Sequence, residues 1–353
     1  MSKLTASLSL DLDNKWSYMK THGDAGWEAF PSYLDLVVPR FLDVLDELKL
    51  KITVFVVGQD AVLKKNHAAL RQIHARGHEV GNHSFRHEPW LHLYSPEELE
   101  EEFDRTEEAL AQICPEKLIG FRGPGFSLSR QTLCTLADRG YEYDCSTFPT
   151  FLGPLARAYY FFTARLSKEE RQQRKLLFGK MSEGFRPLRP YRWDTAPTPL
   201  VEIPVTTMPL VRAPIHLSYL LYLSRFSPWL ADTYFAWACR MCRLFGQELS
   251  LLLHPLDFLG GDDDPDLDFF PAIDLPGLQK VEFVKRTLKR FADHFDVVPM
   301  REHAARVKSR LKNPPRALPE QHQPLVKIPS QHKLPPPESV ATTSFASSAG
   351  RTT

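Results

Sequence analysis

The sequence predicts an α/β protein, a distorted and partly open (β/α) barrel of about seven parallel strands. Three observations carry this expectation. Short apolar or alternating segments recur along the chain, most are separated by stretches with helical periodicity, and the polar residues with chemical potential fall just after the short segments. Such alternation argues a parallel sheet, and in barrels the chemistry collects at the carboxyl ends of the strands.

Residues 4–13 alternate and end in acidic side chains, as a strand does when it delivers groups to a sheet edge. Apolar residues at helical spacing follow over 32–50, and 51–57 is a β-branched run typical of a buried parallel strand. Residues 61–76 read as a helix stopped by Gly77, and 78–83 as a short strand. The helix over 96–113 opens with Ser95, Pro96 and Glu98, which supply an N-cap, a first-turn proline and a capping-box acid. Further strands are expected at 117–122, 141–146, 200–205, 249–254 and 295–299.

Two regions break the pattern. Residues 150–199 mix aromatics (Tyr159, Tyr160, Phe161, Phe162) with a basic run from Lys168 to Lys180, and read as an insertion. Beyond Lys312 the chain turns to Pro, Ser, Thr and Gln. The expected organisation is a barrel over 1–305 that carries the insertion, followed by a disordered Pro/Ser/Thr-rich tail over 306–353.

The 353 residues are 43% hydrophobic and 25% charged, ample for a sizeable core. Lys and Arg total 44 against 43 Asp and Glu, so there is no whole-molecule field to gather nucleic acid, and no nucleic-acid partner is expected. Five cysteines without a framework spacing fit a reducing compartment, and the first residues lack the continuous apolar core of an export signal. The expected location is therefore cytoplasmic. No stretch of about 20 residues is apolar enough to span a bilayer. Residues 217–245 are rich in Leu, Tyr, Trp and Phe but carry Arg225, Asp232, Arg240 and Arg243, as a buried or interfacial helix pair would. The interfacial version would add peripheral contact at the inner membrane.

Four local patterns carry chemistry. His83-Ser84-Phe85-Arg86-His87 holds two histidines four apart, a spacing that on a helical turn brings both imidazoles to one metal ion. Asp11-Leu12-Asp13 closes the first strand, where side chains two apart project the same way; beside a divalent cation one carboxylate can bind and the other act as base. A second register, with Asp13 as base and Asn14 as ligand, is also open, although neutral Asn is a poor metal ligand. In Gly120-Phe121-Arg122-Gly123-Pro124-Gly125 the arginine can hold a carboxylate, and the turn after it frees backbone N–H groups for an oxyanion. His254 follows an apolar strand and suits a general acid, with Asp257 three residues beyond as a neighbour.

Together these motifs resemble the polysaccharide deacetylase family, the fourth family of carbohydrate esterases. They occur in that family's order: paired aspartates on the first strand, His-Ser/Thr-x-x-His, Arg-x-Pro, an Asp after a later strand, and Leu-x-x-His, over residues from about 4 to 300. The resemblance implies that Asp13, His83 and His87 bind a divalent metal, usually zinc. It makes Asp11 the base on a water, Arg122 the residue that holds Asp11 charged, and the Gly125 N–H an oxyanion donor. His254 would protonate the leaving amine, and Asp144 would keep its imidazole oriented. The implied activity is hydrolysis of the N-acetyl group of an amino sugar, in a polysaccharide or a lipid-linked glycan. Many members have adjacent aspartates where this chain has Asp-Leu-Asp. The alternatives are an allantoinase-like hydrolase of a small non-glycan amide, and a catalytically silent glycan-binding protein.

Weaker features have plainer readings. The five aspartates of 262–268 read as a solvated loop, Cys239 and Cys242 as core residues of a helix, and His22 and Asp24 as residues at the cleft mouth.

Overall fold

Strand β1 (Leu4–Leu12) lies at the heart of the sheet in the computed structural model, which describes residues 3–151 and 184–320. Its alternation sorts its side chains by face. Leu8, Leu10 and Leu12 enter one apolar cluster with Phe41, Leu45, Leu70 and Phe103 on the outer, helix-covered side. Ser7, Ser9 and Asp11 take the other face, where Ser7 meets His303 at 2.9 Å and both Ser9 and Asp11 accept from Arg122.

The remaining strands are β2 (Thr53–Val56), β3 (Glu79–Asn82), β4 (Gly120–Phe121), β5 (Tyr143–Asp144), β6 (Tyr191–Trp193), β7 (Leu200–Glu202), β8 (Leu249–Leu253) and β9 (Phe295–Val298). They form a nine-stranded sheet in the order β6-β7-β5-β4-β3-β2-β1-β8, with β9 beside the first half of β1. Every pairing is parallel except β6 with β7. Among the described residues the sheet curls without a closing ladder. Instead, the chain after β7 touches β8 through the Thr206 N–H to the Ser250 carbonyl (3.1 Å) and the Ser250 N–H to Thr206 Oγ1 (2.6 Å). This is the partly open barrel that the sequence predicts.

Helices α1 (Lys15–His22), α2 (Leu34–Glu47), α3 (Gly58–Val62), α4 (His67–Ala75), α5 (Pro96–Leu110) and α6 (Arg130–Asp138) fall among the first five strands; α7 (Leu217–Phe226) and α8 (Pro228–Leu244) precede β8. Then come α9 (Gly277–His294) and α10 (Met300–Arg310). The capping box is present: Ser95 Oγ accepts from the Glu98 N–H, and Glu98 accepts from the Ser95 N–H. Met300, Ala304 and Val307 of α10 fill the concave face against Phe55, Tyr143, Val201 and Ile203. Two glycines make room for this filling, since a Cβ on Gly81 would stand 2.5 Å from Phe55 and one on Gly120 2.0 Å from Tyr143.

Three expectations are corrected. The helix expected over 61–76 is broken at Leu63, where Asn66 turns back to donate to the Asp60 carbonyl and carboxylate. Part of the expected insertion, Tyr191–Trp193, joins the sheet as its antiparallel edge strand. The boundary at 305/306 falls inside α10, because the apolar spacing of Met300, Ala304 and Val307 continues past it; beyond the helix, Arg316 pairs with Arg192 and Asp194. The aromatic and basic runs at 159–162 and 168–180 lie outside the described residues, as does the tail from 321.

Candidate active site

The parallel register places the chemistry. Asp11 pairs with Phe55, and Phe55 with Gly81, so His83, two residues past Gly81, projects on the same concave face just beyond Asp11. Leu10 pairs with Leu253 on the opposite edge of β1, which brings His254 level with Asp11. The sequence-predicted groups thus gather at the carboxyl end of the sheet; Asp144, the last residue of β5, shares that end but not the concave face.

Asp13, His83 and His87 converge. One Asp13 oxygen lies 3.2 Å from His83 Nε2 and 2.9 Å from His87 Nε2, and the three ligand atoms all fall within 4.8 Å of one another. Although so close, Asp13 Oδ1 and His87 Nε2 are buried without a hydrogen bond of proper geometry. They face a common point more than they face each other. Two imidazole nitrogens and a carboxylate oxygen arranged this way fit the three protein ligands of a catalytic zinc-type site. The His83 ring is oriented from behind: its Nδ1–H donates to the Arg122 carbonyl at 2.7 Å, leaving Nε2 for the cluster. Burial works to raise the Asp13 carboxyl, but His87 and His83 outweigh it and hold it well below the usual range. Burial likewise works to lower His83, and Asp11 and Asp13 outweigh it and raise it.

The two histidines meet by a different route from the helical turn expected. Ser84 and His87 both have left-handed backbone, φ 61° and 53°, which folds the loop back on itself. Buried Glu102 of α5 pins it, accepting from the Phe85 and Arg86 N–H groups at 2.9 and 2.7 Å and from the Arg86 guanidinium at 2.7 Å. No local signal in the sequence links Glu102 to this loop.

Asn14 settles into another role. Its side chain donates to Ser32 and Asp60 and accepts from the Lys15 and Tyr33 N–H groups, so it is fully engaged away from the imidazoles. The geometry therefore favours the register in which Asp13 faces the histidines. Asp11 is held by Arg122 at 2.7 Å, and that guanidinium also donates to Ser9 and the Cys145 carbonyl and lies over the Phe55 ring. Burial opposes the arginine's charge, but Asp11 outweighs burial and raises its pKa further. Gly125 sits in the short turn Pro124–Phe126 with φ 57°.

His254 caps a turn of its own. Its N–H donates to Asp257 at 2.8 Å, its Nδ1 lies 3.2 Å from Ser218 Oγ, and Ser218 donates to Asp257 at 2.7 Å. Asp144, expected to orient this imidazole, does not reach it. With Tyr143 and Cys145 on the concave face, alternation turns Asp144 to the outer side, where it accepts from Ser146 Oγ at 2.6 Å and pairs in register with Glu202. Burial raises both carboxyls of that pair. Ser218 is the group sequence reasoning missed, and Asp257, read as a neighbour, takes the place given to Asp144. Tyr18 is also newly visible: its hydroxyl is buried without a hydrogen-bond partner among the described residues, and burial and then the charge of Asp13 push its pKa well up, with Asp257 and Asp11 adding to this.

The outlying features sort themselves. Asp263 forms a two-pronged pair with Arg40, and Lys15 bridges Asp264 and Asp266, so the acidic segment is tied to the barrel and is not the solvated loop expected. Cys239 and Cys242 are core residues whose thiols burial pushes up to about 12. His22 pairs with Asp24 and stacks on Phe269.

The sequence profile of the family described as polysaccharide deacetylase matches residues 24–143, a segment that includes His83, His87, Arg122 and Gly125 and begins after the β1 aspartates. A chitooligosaccharide deacetylase from Sinorhizobium fredii is 31% identical over 131 residues, 35% of this chain and 60% of that protein. One from Bradyrhizobium sp. is 32% identical over 103 residues, 29% of this chain and 46% of that protein. This chain thus aligns with less than two thirds of the length of these relatives. Among solved structures, one from Mycobacterium smegmatis assigned to the polysaccharide deacetylases superposes with a TM-score of 0.58 at 19% identity, covering 91% of this chain and 96% of that one. That likeness bears on the fold.

Proposed function

We propose that this chain, whose residues 24–143 match the polysaccharide deacetylase family, hydrolyses the N-acetyl group of an amino sugar with the help of a divalent cation, zinc by preference. The carrying observation is the convergence of Asp13, His83 and His87, with Asp13 Oδ1 and His87 Nε2 buried and without a hydrogen bond of proper geometry. A cation held by these three would polarise the amide carbonyl and acidify a water. Asp11, paired with the Arg122 guanidinium, accepts the proton of the attacking water. The Gly125 N–H donates to the oxyanion that develops on the carbonyl. His254 gives its proton to the departing amine, and the Ser218 hydroxyl, backed by Asp257, holds the imidazole in line.

The substrate is an N-acetylated glycan, free or lipid-linked. The chitooligosaccharide named for the relatives favours a sugar amide over a small cyclic one. The direct test is acetate release from N-acetylchitooligosaccharides. Turnover that needs added zinc and stops with chelator supports the reading; a zinc-replete protein that binds these sugars and releases no acetate from them, or from N-acetylglucosamine on a lipid carrier, contradicts it.

A further inference from the structure

No described helix is long and apolar enough to cross a membrane. Even so, large apolar side chains crowd one exposed surface, that of α7 and α8. Phe226 is 66% exposed, Trp229 74% and Leu244 79%, with Tyr222, Leu230 and Trp237 also exposed. The exposure is patterned: along α8 the positions 229, 233, 237, 240 and 244 step by three or four and form one outward stripe, while Ala231, Phe235, Ala238, Cys239 and Cys242 face the core. Soluble surfaces seldom gather this much apolar area without a use for it.

The residue types and charges point to one occupant. Trp, Tyr and Phe next to arginine suit the water–lipid boundary, where an aromatic body sits among acyl chains and a guanidinium meets headgroup phosphate. The two helices carry Arg225, Arg240 and Arg243 against Asp232 alone. Arg225 is paired with Asp274, and Asp232 lies against Arg290. Arg240, within the stripe, and Arg243, beside it, have no ion-pair partner among the described residues and are exposed as open positive charge.

We propose that the α7–α8 face seats this protein on an anionic bilayer surface. The position of the site gives the contact a purpose. Ser218, in the first turn of α7, bonds to Asp257 beside His254, and Phe226 at the other end of the same helix reaches the exposed face. Eight residues of helix separate them, about 12 Å at the usual rise. A chain docked by this face keeps its cleft within roughly one short helix of the contact, within reach of an amino sugar carried on a lipid anchor. That last step rests on the deacetylase reading; the docking does not.

The test is co-sedimentation of the full chain with vesicles of equal parts phosphatidylcholine and phosphatidylglycerol in low salt, read against vesicles of phosphatidylcholine alone. The wild type is expected to pellet with the anionic vesicles and to be released by high salt. Replacing the exposed pair, Phe226→Ser with Trp229→Ser, should weaken partitioning by about tenfold or more. Arg240→Gln with Arg243→Gln should weaken it roughly thirtyfold. Wild type that stays in the supernatant at low salt, or variants that pellet as it does, overturns the proposal. So does a wild-type dimer, seen by light scattering, that Trp229→Ser dissolves, because the face then belongs to a second copy. His83→Ala should pellet like the wild type without any turnover, so failure of docking and failure of the chemistry are read separately.

Discussion

Arg122 and Asp11, 111 residues apart in the chain, meet at 2.7 Å on the concave face of the sheet, and the arginine has no exposed surface at all. Removing the guanidinium leaves a carboxylate 5% exposed without its counter-charge. Arg122→Ala should therefore destabilise the fold by about 3–5 kcal/mol, the usual cost of breaking a buried pair from one side. Denaturant unfolding checks this; a loss below about 1 kcal/mol would mean that water replaces the arginine freely.

The orientation of His254 separates two candidates. Ser218→Ala and Asp257→Asn should each lower kcat by about tenfold or more and shift the pH limb that reports the acid, with little change in KM. Asp144→Asn should leave kcat and its pH profile close to wild type, since Asp144 engages Ser146 and Glu202 on the outer face. Steady-state kinetics across pH on the three variants decides between them.

Glu102 holds the loop between the two histidines through its bonds to the Phe85 and Arg86 N–H groups. Glu102→Gln should loosen that loop and reduce zinc affinity by roughly 10–100-fold, as loss of an outer support does in other metal sites. Competition titration against a chromophoric chelator measures it.

Asp60 gives a pH signature. Burial raises its carboxyl to about 7, against the hydrogen bonds from Asn14 and Trp16. Because the folded value exceeds the ordinary 3.8, the contribution to stability is fully present below about pH 4 and is lost as pH rises through about 7. Relative to Asp60→Asn, which keeps the acceptor for Asn14 and Trp16, metal-free wild type should lose a few kcal/mol, of the order of 4, between pH 4 and pH 8. Parallel stability curves for the two proteins would contradict the assignment.

Much of this was legible in the sequence, for physical reasons. The strands announced themselves because parallel strands buried on both faces need apolar runs, and the helix at Pro96 because its capping box is local. Asp11, Asp13 and His83 were legible because two-residue alternation and strand-end position fix where they point. The rest depended on non-local contacts. Asp144 reads as an oriented strand-end acid until the neighbouring strand shows which face it takes, a difference of one residue in register. The His83–His87 loop has helical spacing but not helical backbone, because Glu102, from a later helix, offers its N–H groups a better partner than a helical turn would. Ser218 lies in a helix whose amphipathic pattern gives no sign that its first turn touches the site. The antiparallel strand Tyr191–Trp193 was hidden by a segment whose composition resembles an insertion.

The most direct measurement pairs zinc content with acetate release for Asp11→Asn and Asp13→Asn, side by side with wild type on N-acetylchitooligosaccharide. The account predicts that Asp11→Asn retains one zinc and loses turnover by at least about a hundredfold, whereas Asp13→Asn loses the zinc together with the activity. Full activity in Asp11→Asn, or undiminished zinc in Asp13→Asn, would contradict it.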